Sequence, residues 1–201
     1  MSKAKISGLI ISAGLSSRMK GFKPLAGYKG NTFIGNITNK LEPVCEYIIV
    51  VTGYNADKLK SAILKEFSSI TSRLNFVQNE LYRKGMFTSL QRGLQEAKDC
   101  DWVVYHFVDQ PGLPEQFYSK FISQIDEKHN WVQPTVNEIK GHPILLQRKL
   151  FDLIISSSEN SNLRELSSNT LIRKKYWECK CPEIFQDIDT EEEYLKLEGS
   201  R

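Results

Sequence analysis

The chain has 201 residues, 40% hydrophobic and 25% charged, which is the make-up of a folded protein rather than a disordered one, and the length suits one domain over residues 1–201. Lys and Arg number 27 against 24 Asp and Glu, a net charge of +3 with the signs interspersed, so no basic face calls for nucleic acid. No apolar run approaches the ~20 residues of a membrane span, and Cys45, Cys100, Cys179 and Cys181 are too scattered for a secreted disulfide framework, which points to a reducing cytoplasm.

Apolar runs of strand length alternate with helical stripes. A first strand is expected over residues 6–11, followed by a short stripe of Ile34, Ile37 and Leu41, and a second strand over Tyr47–Thr52. Leu59, Ala62, Ile63 and Phe67 share a helical face after a candidate cap at Asn55. A weaker third strand, residues 74–77, precedes a helix with Met86, Leu90, Leu94 and Ala97 on one side. The fourth strand is residues 102–108, and Pro114 suits a first helical position before Phe117, Phe121 and Ile125. Near-continuous apolar runs fit parallel strands buried on both faces. The βαβαβαβα order predicts a three-layer α/β/α sandwich around a mostly parallel, Rossmann-like sheet. Further on, residues 131–135 and 144–146 read as an added ribbon, residues 150–156 as a helix, SSSENSN as a polar loop and residues 176–181 as an alternating strand. Thr190 and Glu193 have the spacing of a capping box that opens a final helix. The Phe and Trp stripes and His106 read as interior. Cys179 and Cys181 would face one way on a strand, a poor zinc site without further Cys or His.

Residues 12–25, SAGLSSRMKGFKPL, are the most informative stretch. Ser12, Ala13, Gly14, Leu15, Ser16 and Ser17 leave the C-terminal end of a strand, where backbone N–H groups can surround an anion, and Arg18 and Lys23 add positive charge. The stretch matches neither G-x-x-x-x-G-K-[ST] nor G-x-G-x-x-G. On composition alone it is either an anion cradle or a turn with solvated basic side chains. Asp109 ends an apolar strand before Gln110-Pro111-Gly112, which sets a carboxylate at a strand edge where open α/β sheets bind ligands. Its alternative is a turn cap. Asp187 and Asp189 would share one face of an extended segment with Ile188 turned inward, or Asp189 would serve a helix start. His142, between Gly141 and Pro143, falls on a loop outside the core.

Residues 10–25 resemble the A-A-G-x-S-x-R-M-G-x-x-K-x-L signature of the MobA-like nucleotidyltransferases, and are most similar to the molybdenum cofactor cytidylyltransferases. In the same order, residues 85–90 (GMFTSL) resemble the family's G-M-x-x-S-L segment, 108–111 (VDQP) its D-x-P metal loop, 141–143 its G-H-P turn and 187–190 its D-I-D-T. Ser12 replaces an alanine of the pattern, Lys20 stands at a usual glycine, Lys140 at a frequent arginine and Asn162 near a usual glycine. The resemblance implies a Mg²⁺-dependent transfer of a nucleoside monophosphate, with CTP the leading donor, onto a molybdopterin-type cofactor phosphate with release of pyrophosphate. It implies that residues 12–18, Lys23 and Ser89 hold the nucleotide, and that Arg18, Lys23 and Asp109 are catalytic. Asp109 with Asp187 or Asp189 would hold the metal, and Gly141, His142 and Pro143 would line an acceptor pocket. A guanylyltransferase, a sugar- or polyol-phosphate nucleotidyltransferase, and a nucleotide-binding partner protein without turnover stand beside this reading. Neither nucleic acid nor membrane is expected as a partner; the resemblance leaves room for a cofactor-delivering or acceptor enzyme.

Overall fold

The computed structural model describes residues 4–198. Its centre is β1 (Ile6–Ser12), buried along its whole length. Side chains alternate across a strand, so Ile6 and Ile10 enter one hydrophobic cluster while Leu9 and Ile11 enter the other. That double burial is why the run shows no polar alternation.

A hairpin of β2 (Gly27–Tyr28) and β3 (Asn31–Thr32) leads into α1 (Phe33–Leu41), whose N-terminus Thr32 caps by accepting the Gly35 amide at 3.0 Å. Then come β4 (Tyr47–Thr52), α2 (Ala56–Glu66), β5 (Leu74–Gln78), α3 (Met86–Glu96), β6 (Trp102–Phe107) and α4 (Glu115–Ile122). The chain continues through β7 (Trp131–Val136), β8 (Ile139–Lys140), β9 (Ile144–Gln147), α5 (Phe151–Ile155), α6 (Leu163–Leu166), β10 (Lys174–Glu178) and α7 (Glu191–Glu198).

The main sheet has eight strands in the order β10-β7-β9-β6-β1-β4-β5, with β8 paired to β7. Strands β5, β4, β1 and β6 run parallel. β9 is antiparallel to both neighbours, and β10 runs parallel to β7. Helices α1, α2 and α4 cover one face, α3 and α5 the other, giving the three layers read from the sequence. The chain steps outward from β1 through β4 to β5 and returns to place β6 on the opposite side of β1. Strand order therefore reverses between β1 and β6, and the crevice beyond their C-terminal ends is the natural ligand site of such a sheet.

Several local expectations are corrected. The segments at 131–135 and 144–146 are no added ribbon: Val132 and Leu145 enter one cluster, Trp131 and Leu146 the other, so both faces are covered and the strands complete the sheet. Pro114 is the N-cap of α4, not its first residue. Asn55 does occupy the N-cap of α2, but with φ 53° its side chain makes no capping bond. Met86 is 53% exposed because Phe87, Leu90 and Leu94 carry the buried face of α3. β10 ends at Glu178, so Cys179 and Cys181 lie beyond it as buried free thiols, and burial pushes the Cys181 thiol up to about 12. Phe185 is exposed rather than interior.

Other expectations hold. His106 is fully buried, its Nε2 2.8 Å from the Tyr118 hydroxyl, and burial pushes its pKa down to about 3. The capping box forms, with Glu193 accepting the Thr190 amide at 2.9 Å and Thr190 Oγ1 accepting the Glu193 amide at 3.3 Å. Among the described residues no helix is long and apolar enough to cross a membrane.

Helix α3 crosses β1 and β4 at Gly93, where an added Cβ would fall against Leu9 Cδ1 and 2.8 Å from Val51 Cγ2. Both neighbours are fully buried and cannot retreat. Gly93→Ala is expected to destabilise the protein by about 1–3 kcal/mol, read as a lower urea midpoint with unchanged m.

Candidate active site

The loop after β1 folds back on itself at Ser16, which adopts φ 53°. The Ser16 carbonyl accepts the Met19 amide at 3.1 Å and its hydroxyl accepts the Lys23 amide at 3.1 Å. The left-handed residue of this loop is thus Ser16, not Gly14, and a Cβ at Gly14 would meet nothing within 4 Å, so the backbone there stands open. Lys20 is exposed and its amide donates to Glu191 Oε2 at 3.0 Å, which leaves the charged side chain outside the crevice. The Glu191 amide in turn donates to the Arg18 carbonyl at 3.2 Å.

Beneath the loop the Lys23 side chain is only 11% exposed, with Nζ 2.6 Å from Asp189 Oδ1 and 3.8 Å from Asp109 Oδ2. Arg18, 65% exposed, places its guanidinium 3.0 Å from Asp189 Oδ2. Burial pushes the Asp109 carboxyl up to about 6; the Lys23 charge opposes this, and Asp187 and Asp189 add to it. Asp187 is raised by burial, against a hydrogen bond from Gln110. Burial would also raise Asp189, but the hydrogen bond and charge of Lys23, with Arg18, hold it below the usual carboxylate range. Ile188 is 1% exposed in the core, so the expected alternation of residues 187–189 is observed. The Asp189 carboxylate is directed to Lys23 and Arg18, while Thr190 Oγ1 accepts the Glu193 amide at the start of α7.

Among the described residues no three His, Cys, Asp or Glu side chains form a closed metal cage. The carboxylates are instead an open set, in which Asp109 Oδ1 is buried without a hydrogen-bond partner. A hard cation that keeps waters and takes phosphate oxygens needs only one or two carboxylates, so this donor set fits one.

Two adjoining cavities open at the crevice. The smaller, of about 400 Å³, is lined by residues 12–18, Lys23, Ser89, Asp109 and Asp189, whereas Asp187 is exposed and does not line it. The larger, of about 890 Å³, shares Gly85, Met86 and Phe107 with the first. Its walls include Tyr105, Trp131 and His142, with Lys140, Arg164 and Lys174 contributing positive charge and Lys84 paired with Glu159. Aromatic walls with a cationic fringe suit a planar, anionic ligand. Of the G-H-P turn only His142 lines this cavity, while Gly141 and Pro143 are buried and hold it in place. A Cβ at Gly141 would sit 2.5 Å from Ile184 Cγ1. The His142 ring lies 4.5 Å from that of Phe107, its Nδ1 is buried without a partner, and burial pushes its pKa down to about 4, so it is neutral at pH 7.

Sequence reasoning overlooked Asn79. Its Nδ2 donates to Ser89 Oγ at 2.9 Å and Thr88 Oγ1 at 3.0 Å while its Oδ1 accepts the Leu81 amide at 2.9 Å, which ties the segment between the cavities together. A lone Asn after a strand reads only as a turn residue, so no signal marked it.

Residues 8–174 match the model of the MobA-like NTP transferase domain. The chain is 26% identical over 192 residues to the molybdenum cofactor cytidylyltransferase of Escherichia coli K12, covering 94% of both chains. It is 23% identical over 207 residues to a probable molybdenum cofactor guanylyltransferase of Bacillus cytotoxicus, covering 96% of both. The crystal structure of Rv0371c of Mycobacterium tuberculosis H37Rv in complex with manganese superposes with a TM-score of 0.77 at 18% identity, over 98% of this chain and 100% of that one.

In the metal-free protein Asp109 should titrate near 6 by carboxyl NMR, and Lys23→Met should raise that value further by removing the opposing charge. A carboxyl raised by folding holds its proton longer in the native state, so stability should fall as pH climbs from 3.8 to about 6. Asp109→Asn should remove that slope from unfolding curves.

Proposed function

The chain belongs to the MobA-like NTP transferase family and is a nucleotidyltransferase, and we propose that it moves CMP from CTP to a phosphate of a molybdopterin-type acceptor, releasing pyrophosphate. The observation that carries this reading is the junction of two chemically different cavities: one of backbone amides and cations, the other aromatic with a basic fringe. A triphosphate fits the first and a planar anionic acceptor the second. They meet at Phe107, two residues before Asp109.

Transfer requires the acceptor oxygen to lie in line with the α-phosphorus while negative charge builds on the phosphate oxygens, so positioning and electrostatics carry most of the rate. The open backbone of residues 13–17 supplies N–H donors. Arg18, exposed and with its guanidinium on Asp189, exchanges that carboxylate for phosphate when the nucleotide arrives. Lys23 stays buried between Asp189 and Asp109 and offers its charge from beneath. Asp109 together with the Asp187–Asp189 segment would hold Mg²⁺, which when bound neutralises phosphate charge. His142, neutral and with an unpaired buried Nδ1, orients the acceptor by a hydrogen bond.

The higher identity to the cytidylyltransferase supports CTP, and the named guanylyltransferase relative makes GTP the second donor to test. Four buried, unbridged cysteines support a reducing cytoplasm as the setting.

Pyrophosphate release measured with each of the four NTPs, Mg²⁺ and molybdopterin should be fastest with CTP; no release with any of them would sink the reading. Asp109→Asn should fold and lose about 10²-fold or more in kcat, and Arg18→Ala and Lys23→Ala should each lower kcat/KM for the nucleotide.

His142→Ala should raise the acceptor KM while leaving nucleotide affinity, titrated without acceptor, unchanged. Equal loss of both would contradict the division of labour.

A further inference from the structure

Gln110 takes no part in the chemistry above, yet it is 1% exposed and its side-chain amide reaches in two directions. Its Nε2 donates to Asp187 Oδ1 at 2.7 Å and to the Ile184 carbonyl at 3.3 Å. A carboxylate and a carbonyl only accept, so the NH₂ face of the amide must point at them. The Asp109 carbonyl accepts the Ile188 amide at 2.9 Å, so consecutive residues 109 and 110 grip residues 184–188 from end to end.

The Ile184 carbonyl also accepts the His142 amide, at 3.2 Å, and the Ile184 side chain occupies the space that a Cβ on Gly141 would need. One glutamine therefore bonds directly to the segment bearing Asp187 and Asp189, and through a shared carbonyl to the backbone that carries His142. Packing alone does not explain an amide here. Gln110 Oε1 is buried without a partner among the described residues, a cost that a methionine of similar length would avoid. What methionine would lack are the two N–H bonds.

We infer that Gln110 is a positioning residue: its NH₂ group sets the 187–189 carboxylate segment beside Asp109 and, through the Ile184 carbonyl, registers the turn carrying His142 against the same point. This rests on the reading that Asp109 and that segment hold a divalent cation. Donors behind a metal ligand hold it in its binding geometry, and their removal typically costs about 10- to 100-fold in metal affinity.

The test follows Mn²⁺ binding by electron paramagnetic resonance, with neither nucleotide nor acceptor, in the wild type, Gln110→Met, Asp187→Ala and the double variant. Gln110→Met should weaken Mn²⁺ about tenfold or more, and the double variant should be no weaker than Asp187→Ala. The ¹⁵N–¹H resonance of His142 should shift in Gln110→Met and stay in place in Asp187→Ala. Unchanged Mn²⁺ affinity in Gln110→Met, an additive loss in the double variant, or an unmoved His142 resonance in Gln110→Met overturns the inference. If the wild type itself takes up no Mn²⁺, the metal assignment is what falls, and this inference falls with it. Should Gln110→Met fail to fold, Gln110→Asn, which keeps the amide but withdraws it by one methylene, is read by the same measurements.

Discussion

A buried ammonium organises this molecule. Lys23, 11% exposed, needs counter-charge, because an unpaired ion away from water is costly. It finds that charge on Asp189 at 2.6 Å and on Asp109 at 3.8 Å. The dependence runs both ways, since burial drives the Asp109 carboxyl up to about 6 and Lys23 opposes the rise. Segments far apart in sequence, one leaving β1, one leaving β6 and one entering α7, are thereby held together at the point where the strand order of the sheet reverses.

The two halves of the site are built from different materials. On the side of residues 12–18 the loop is fixed by the left-handed turn at Ser16 and by its hydroxyl on the Lys23 amide, and at Gly14 the main chain stands open. On the other side rings do the work, with His142 tilted against Phe107 at 4.5 Å and Tyr105 packed edge-on to Phe107 at 4.9 Å. Main-chain donors suit a ligand whose charge is spread over many equivalent oxygens. Rings suit one that is flat and must be oriented. Phe107 lines both cavities, so the last residue of β6 lies where the two halves adjoin.

What the sequence disclosed depended on whether a signal was local. Strands β1, β4 and β6 were legible because burial on both faces leaves an uninterrupted apolar run, and residues 12–23 stood out because a glycine- and serine-rich loop with basic residues after a strand is a contiguous pattern. Asp109 stood out by its place at a strand end. The role of β9 was not legible: whether a short apolar segment inserts between β6 and β7 or hangs outside the sheet is decided by what covers its second face, which no period records. Gln110 and Asn79 were invisible for a related reason. Gln110 acts on Asp187, 77 residues away, and Asn79 on Ser89, 10 residues away, and a polar side chain beside a turn carries no mark of its distant partner. Cys179 and Cys181 misled in the opposite sense, since alternating spacing suggested a strand where the chain had already turned.

The closing helix bears on the order in which the protein is made. During synthesis residues 12–25 emerge from the ribosome early, whereas Asp189 and Glu191 emerge late. Until then Lys23 and Arg18 lack the Asp189 carboxylate, the Arg18 carbonyl lacks the Glu191 amide, and the Lys20 amide lacks the Glu191 side chain. The central strands β1, β4, β5 and β6 precede this segment in the chain, so they can pair before residues 189 and 191 join the loop after β1. A copy that stops short of residue 189, however well folded at its core, lacks the carboxylate that Lys23 and Arg18 share.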